Sequence, residues 1–437
     1  MAQRPDDPAP GAQPDAALPA DADDQIAEHR YGREPTSALP AASHPIAHWF
    51  DARLPLISGF RREYVAYPMP RNLNYLWNFG AFTTVALAVL LLSGIFLALH
   101  YTASTSLAFA SVEAIDRQVP SGWLLRSIHM GGVSMFFAVL YVHTWRSLYY
   151  GSYKSPREVL WLTGMALLAM VMAAAFAGYI LPWGQMSYWG LVVATNAASA
   201  IPVLGHWLAG LLQGGPTIGD ASLHRIYVLH FVMAFAAIGV VVLHVAALHI
   251  TGSNNPTGVE VKGPRDTIPF HPYYTTKDGL GLAVFVLVFA ILVFFLPGWL
   301  TLSDNYVEAN PLSTPADISP EWYFAPFYAI LRAVPSKLGG LVLAVGSILV
   351  LFAIPWLDRS PVRSARYRPI YRWLMPLLLL SFVLLGIAGL KRPEGLWLAI
   401  SRLAALYWFI HFLVVLPLLP RFERTLPEPD SIAGGAR

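Results

Sequence analysis

Apolar residues gather into eight long runs, at about 79–100, 126–149, 159–180, 226–249, 280–300, 338–357, 373–390 and 403–420. Each is long enough, at 1.5 Å per residue, to cross a hydrocarbon layer of roughly 30 Å as a helix. An even number of crossings puts both termini on one side. Two connections are too long to be plain turns. Residues 181–223 and the stretch DNYVEANPLSTPADISPEWYF are rich in aromatics, Pro and Gly, and short surface helices are expected in both. Residues 1–45 break the pattern: they are rich in Pro, Ala and Asp and lack an apolar core segment, which predicts a disordered tail and no secretory signal. The expected fold is an all-α polytopic membrane protein with eight transmembrane helices.

Composition agrees with that pattern. Of 437 residues, 56% are hydrophobic and 13% charged, too little charge to cover a soluble surface. Loop charge sets the orientation. Lys154, Arg157, Lys262, Arg265, Lys277 and the arginines 359, 363, 366, 368 and 372 fall on one side, whereas 181–223 holds no Lys or Arg. Lys391 and Arg392 are a minor exception. Both termini are therefore expected in the cytoplasm, the chain lying in a bacterial inner membrane. A formal charge of +3 gives no reason to expect a nucleic-acid partner. Without cysteine, the chain itself can carry no disulfide, cysteine-ligated cluster or covalently attached haem.

The histidines narrow the chemistry. His129 and His143 lie fourteen residues apart in the second segment, and His230 and His244 lie fourteen apart in the fourth. Four turns bring each pair to one face, about 21 Å apart along the axis. The two segments run in the same direction, so His129 meets His230 near the outer surface and His143 meets His244 near the inner one. A polar bond to a neighbouring helix explains one such histidine; two matched pairs call for more. Zinc or copper needs ligands converging within a few ångströms. A macrocycle with two axial nitrogens fits each pair, giving two bis-histidine haems of b type in a bundle of the first four helices. Gly80 and Gly94, and Gly164 and Gly178, repeat the same step on the first and third segments. Glycine weakens a helix by about 1 kcal/mol, so the close approach of a porphyrin edge or of another helix is expected at each. Arg126 and Arg146 stand three residues from a ligand, placed for haem propionates, although end residues that snorkel would look alike.

With these positions goes a set of motifs: NFG at 78–80, LHYTAS at 99–104, LYYGSYKSPRE at 148–158, GYILPWGQMSYWG at 178–190, TGSNNPTG at 251–258, IPFHPYYTTKD at 268–278, PEWYF at 320–324 and AILR at 329–332. From about residue 46 to 420 the chain resembles cytochrome b of the ubiquinol–cytochrome c reductase, respiratory complex III. The resemblance implies a Q cycle, with a Rieske iron–sulfur protein and a c-type cytochrome as partner chains, quinone as substrate, membrane lipid around the chain, and a homodimeric complex. It implies that Glu321 accepts a proton from quinol at an outer site whose wall includes Tyr179, Tyr323, Phe176, Pro320 and Tyr328. It also implies an inner quinone site with His249, Lys277 and Asp278, and with Ser253 and Asn78 nearby.

Competing readings accompany each. Pro320 suits the first turn of a short helix, where the Glu321 carboxylate could serve only to favour the dipole. The aromatics could be ordinary interfacial packing, and Lys277 and Asp278 solvated residues ahead of the fifth helix. Two departures from the resemblance stand out. MGG follows His129 where many relatives have ANG, and Leu191 replaces a usual alanine, which is expected to narrow the outer quinone pocket and alter inhibitor sensitivity. The expected division is a tail at 1–45, a di-haem domain at 46–270, a second domain at 271–425 and a tail at 426–437. A cytochrome b–f type plastoquinol reductase is the related alternative, although there the chain is split in two. An eight-span transporter is the alternative from another class, and it leaves the matched histidine and glycine periods unexplained.

Overall fold

The structure is a computed structural model that describes residues 44–299 and 301–432. Among them, eight helices are long and apolar enough to cross a membrane, so the chain is a multi-pass membrane protein. The expected tail at 1–45 lies outside the described residues except for His44 and Pro45.

Two units separate. The smaller holds residues up to 71 and 260–274. Its described part has two short helices, α1 (Pro45–Asp51) and α2 (Leu56–Phe60). An antiparallel pair of strands, β1 (Pro68–Pro70) and β2 (Thr267–Pro269), completes it. The Asp51 carboxylate accepts from the amides of Ile57 and Ser58, tying α1 to the start of α2.

The larger unit is helical. Its elements are α3 (Phe79–Ala98), α4 (Ala108–Gln118), α5 (Gly122–Tyr149), α6 (Glu158–Ile180), α7 (Gln185–Ser199), α8 (Gly205–Gln213), α9 (Asp220–Thr251), α10 (Thr275–Phe295), α11 (Ala325–Arg332), α12 (Lys337–Leu357), α13 (Tyr371–Gly389) and α14 (Gly395–Ile410). Helix α3 packs along α5, and α6 along α9. The α11, α13 and α14 helices form a second packed group.

Three spans begin five or more residues before their expected starts. Helix α9 starts six residues before the expected 226, because Asp220 and Ser222 make a polar first turn. The Asp220 carboxylate takes the amide and hydroxyl of Thr105, and the Ser222 hydroxyl accepts the amide of Gly219. Helix α10 covers Thr275–Phe295 rather than 280–300. Pro297 closes it, since the residue before a proline avoids helical geometry. Helix α14 opens at Gly395, eight residues before the expected start.

Short helices α7 and α8 occupy the first long connection, whereas the second holds only a 3-10 turn at Ser303–Tyr306, and α11 begins directly after it. The connections are also knitted together. The Gln185 amide donates to the Val307 carbonyl, and the Ser187 hydroxyl to the Asn305 side chain. Helix α4, between the first two spans, was not foreseen. Its buried face is Ala108, Val112 and Ile115, a helical repeat too short to register as a span.

Candidate functional site

The four histidines sit on α5 and α9 as their spacing requires. The rings of His129 and His230 face each other with centroids 6.3 Å apart and planes at 80°. His143 and His244 are close enough to interact electrostatically. A metal–nitrogen bond of about 2.0–2.1 Å on each side, plus roughly 1.2 Å from nitrogen to ring centre, would put two imidazoles about 6.4–6.6 Å apart across one ion. The His129–His230 spacing of 6.3 Å is close to that width, so the two rings fit an ion held between them.

Each glycine faces one of these rings. A Cβ built on Gly94 would lie 3.0 Å from His129 Cε1, and one on Gly80 3.1 Å from His143 Cε1. On the other helix pair, Gly164 stands 3.1 Å from His244 Cε1 and Gly178 only 2.6 Å from His230 Cε1. As the glycine number rises by fourteen, its histidine number falls by fourteen, as antiparallel neighbours require. The close approach expected at these glycines is thus made by the ligand ring itself. The missing side chain also bares the carbonyl four residues earlier. His230 Nδ1 lies 2.7 Å from the Ala174 carbonyl. At Gly80 the equivalent residue is Leu76, which lies in a 3-10 turn before α3 begins.

The two arginines differ. Arg146 is buried, stacks over Trp77 and reaches Ser152 and His143 at 3.4 Å. Its Nε has no partner. A buried guanidinium left this way needs an anion. Arg126 instead pairs with Asp116 of α4 and lies over the Tyr306 ring.

A cavity of about 260 Å³ runs from this site to the PEWY segment. It is lined by Gly94, His129, Gly178 and His230 at one end and by Tyr179, Glu321 and Tyr323 at the other. Segment 321–324 is a turn ahead of α11, not its first turn. The cap of α11 is Phe324, the proline in its first turn is Pro326, and it has no acid there. The helix-capping alternative for Pro320 and Glu321 is therefore wrong. The turn is held by one face of α5. Ser134 accepts from the Trp322 indole at 3.1 Å, Phe137 stacks on Tyr323 at 4.4 Å, and Tyr141 donates to the Tyr323 carbonyl at 2.5 Å. Burial pushes the Glu321 carboxyl up to about 7 and the Tyr323 phenol well above its ordinary range. The Tyr179 hydroxyl is buried without a partner.

Phe176, Pro320 and Tyr328 stand outside the lining of this cavity. Phe176 meets Phe324 edge to face, and the Tyr328 hydroxyl donates to the Ile318 carbonyl. Leu191 does not line it either. It is fully buried among Ala177, Ile180 and Ile226, so the expected narrowing is absent there.

At the other end, Asn78 and Lys277 come together. The Asn78 amide donates to the Lys277 carbonyl, while the Lys277 ammonium bonds the Leu73 carbonyl at 2.5 Å and lies over Tyr75. Lys277 and Asp278 belong to the first turn of α10, half-buried, and do not precede the helix in solvent. His249 is on the last turn of α9 with Nδ1 on the Val245 carbonyl, and the Ser253 hydroxyl donates to the Asn254 carbonyl. Sequence reasoning missed the α5 face and Asp116. The spacing of Ser134, Phe137 and Tyr141 was the available signal.

Residues 64–252 match the family described as cytochrome b/b6/petB, and residues 308–409 the one described as cytochrome b (C-terminal)/b6/petD. Cytochrome b of Rhodospirillum rubrum is 52% identical over 90% of this chain and 97% of its own length. The chain belongs to the cytochrome b family. Cytochrome b of Rickettsia conorii is 51% identical over 90% of this chain and 98% of its own length. The cytochrome b/c1 of Bradyrhizobium diazoefficiens is 48% identical over 90% of this chain and 57% of its own length. Among solved structures, a chain of a hyperthermophilic respiratory complex III superposes with a TM-score of 0.81 at 33% identity, over 86% of this chain and 98% of the other.

Proposed function

We propose that this chain is the haem-carrying electron-transfer subunit of a quinol–cytochrome c oxidoreductase. It would oxidise quinol beside Glu321, pass one electron across the membrane and reduce quinone beside His249 and Asp278. The observation that carries the reading is the 6.3 Å gap between His129 and His230, opening through one cavity to a buried carboxyl. His143 and His244 would hold the second haem, with Arg146 as partner of a propionate. A haem held between the two histidines of each pair would supply one-electron transfer there.

The residues of the chain do the rest. Glu321 takes a proton from the quinol hydroxyl, and a carboxyl near 7 is matched to that task at neutral pH. The unpartnered Tyr179 hydroxyl orients the same ring. Tyr323, clamped on Phe137 and Tyr141, fixes the turn that carries the acid. At the inner site His249 and Asp278 supply protons to quinone, and Lys277 holds the start of α10 against residue 73. The other electron leaves through a Rieske iron–sulfur protein to a c-type cytochrome, both separate chains since this one has no cysteine. The haems belong to residues 46–270 and the PEWY turn to 271–425. The complex is a dimer in a bacterial inner membrane, with both termini of this chain in the cytoplasm.

A dithionite-reduced spectrum of the purified complex tests the reading, with two b-type haems expected per chain. A folded chain without haem, or one that keeps both haems after His143→Ala, refutes it.

A further inference from the structure

Two hydroxyls stand immediately before two of the ligand-facing glycines. Ser93 Oγ lies 2.7 Å from the Val89 carbonyl and 3.0 Å from His129 Nδ1. Thr163 Oγ1 lies 2.9 Å from the Leu160 carbonyl, 3.0 Å from that of Val159 and 3.0 Å from His244 Nδ1. A hydroxyl has one proton and two lone pairs, and a carbonyl can only accept. The proton of each hydroxyl is therefore committed to the preceding turn, and its oxygen is left to accept. That places the imidazole hydrogen on Nδ1 and leaves Nε2 bare.

The remaining two histidines lack this arrangement. Ala177 precedes Gly178, so His230 has the Ala174 carbonyl alone. Phe79 precedes Gly80, and His143 Nδ1 faces the Arg146 guanidinium at 3.4 Å. The hydroxyls thus fall one to each histidine pair, on opposite helix pairs.

We propose that Ser93 and Thr163 are positioning residues for the haem ligands, each fixing the tautomer and donor strength of one imidazole and so tuning one of the two centres separately. The proposal rests on the bis-histidine reading above. An imidazole whose N–H is shared with an acceptor is a stronger ligand and favours oxidised iron. Removing the acceptor raises the midpoint potential of that centre.

The test is a potentiometric titration of the intact complex, followed in the reduced-minus-oxidised spectrum and by EPR. Ser93→Ala is expected to shift one wave upward by three- to tenfold in its redox equilibrium, tenfold being about 59 mV for one electron. Thr163→Val, which keeps the shape, is expected to shift the other wave. Ser93→Thr restores the acceptor and should titrate as wild type. Loss of a single haem in Ser93→Ala with retention in Ser93→Thr also supports the role. Unchanged waves and g-values at full haem content overturn it, as does movement or loss of both centres together in either variant. A wild-type complex without two b-type haems would instead sink the underlying reading.

Discussion

Gly178→Ala places one methyl group where the structure has least room for it. The added Cβ would sit 2.6 Å from His230 Cε1 and 2.9 Å from Nδ1. Carbon atoms pack at about 3.5–4.0 Å, so the ring must retreat by roughly 1 Å. That movement opens the 2.7 Å bond from His230 to the Ala174 carbonyl beyond hydrogen-bonding range. The lost bond costs about 1 kcal/mol, and overpacking about 1–3 kcal/mol more. Against this, alanine improves the helix by about 1 kcal/mol. The chain should therefore still fold, while the displaced ligand costs about 10- to 100-fold in haem affinity. The assay is haem per chain by pyridine haemochrome, with a reduced-minus-oxidised spectrum to show which band is lost. The expected result is loss of the haem between His129 and His230 and retention of the other. Gly164→Ala, at 3.1 Å from His244, is the graded control and should affect the other haem more mildly. Full occupancy in Gly178→Ala, or a larger loss in Gly164→Ala, refutes the ligand-cradle argument.

Three further outcomes follow from other groups. With Glu321 near 7 because of burial, quinol oxidation should fall as pH drops below about 7, since the protonated carboxyl cannot accept. Glu321→Gln should abolish that limb in a steady-state pH profile while haem content stays unchanged. Arg146→Gln removes a buried cation beside His143, which favours reduced iron, so a redox titration should show the midpoint of that haem falling, by about tenfold in its equilibrium. Asp358 is fully buried between Lys154 at 2.8 Å and Arg368 at 3.0 Å; burial alone would raise its carboxyl, but the two cations hold it below its ordinary value. Its contribution to stability is therefore present above the ordinary carboxylate pKa and lost as pH falls through the folded one. Asp358→Asn leaves Lys154 without a carboxylate and Arg368 with Glu423 alone, at a cost of about 3–5 kcal/mol, read as a lowered melting temperature in detergent at neutral pH.

How far each feature was legible depended on the range over which it is encoded. The eight spans, the histidine pairs and the glycine pairs are periodic along one helix, so counting recovers them. The span ends were missed where a polar turn such as Asp220–Ser222 belongs to the helix but not to its apolar core. The reason for the glycines was open, because period alone does not say which neighbour a bare Cα admits. Only the pairing of α3 with α5 and α6 with α9 shows that each one admits a ligand ring. Glu321 was misplaced on a helix because Pro320 is a permissive residue. The clamp that decides the matter joins residues more than 180 apart.

That clamp bears on how the site works as a unit. Helix α5 carries His129, and one to three turns later it carries Ser134, Phe137 and Tyr141, which hold the turn bearing Glu321. On the proposed function, Glu321 as proton acceptor and the haem held by His129 as electron acceptor would be referenced to the same rigid element. A loop of irregular backbone could not keep that distance by itself, since few of its groups are paired locally. The α5 contacts supply a hydroxyl that accepts from the Trp322 indole, a ring stacked on Tyr323 and a phenol that donates to the Tyr323 carbonyl, all on two consecutive residues of the turn. Removal of a proton and removal of an electron from one quinol need both acceptors in reach of a single bound ring. Building both on α5 meets that requirement through packing.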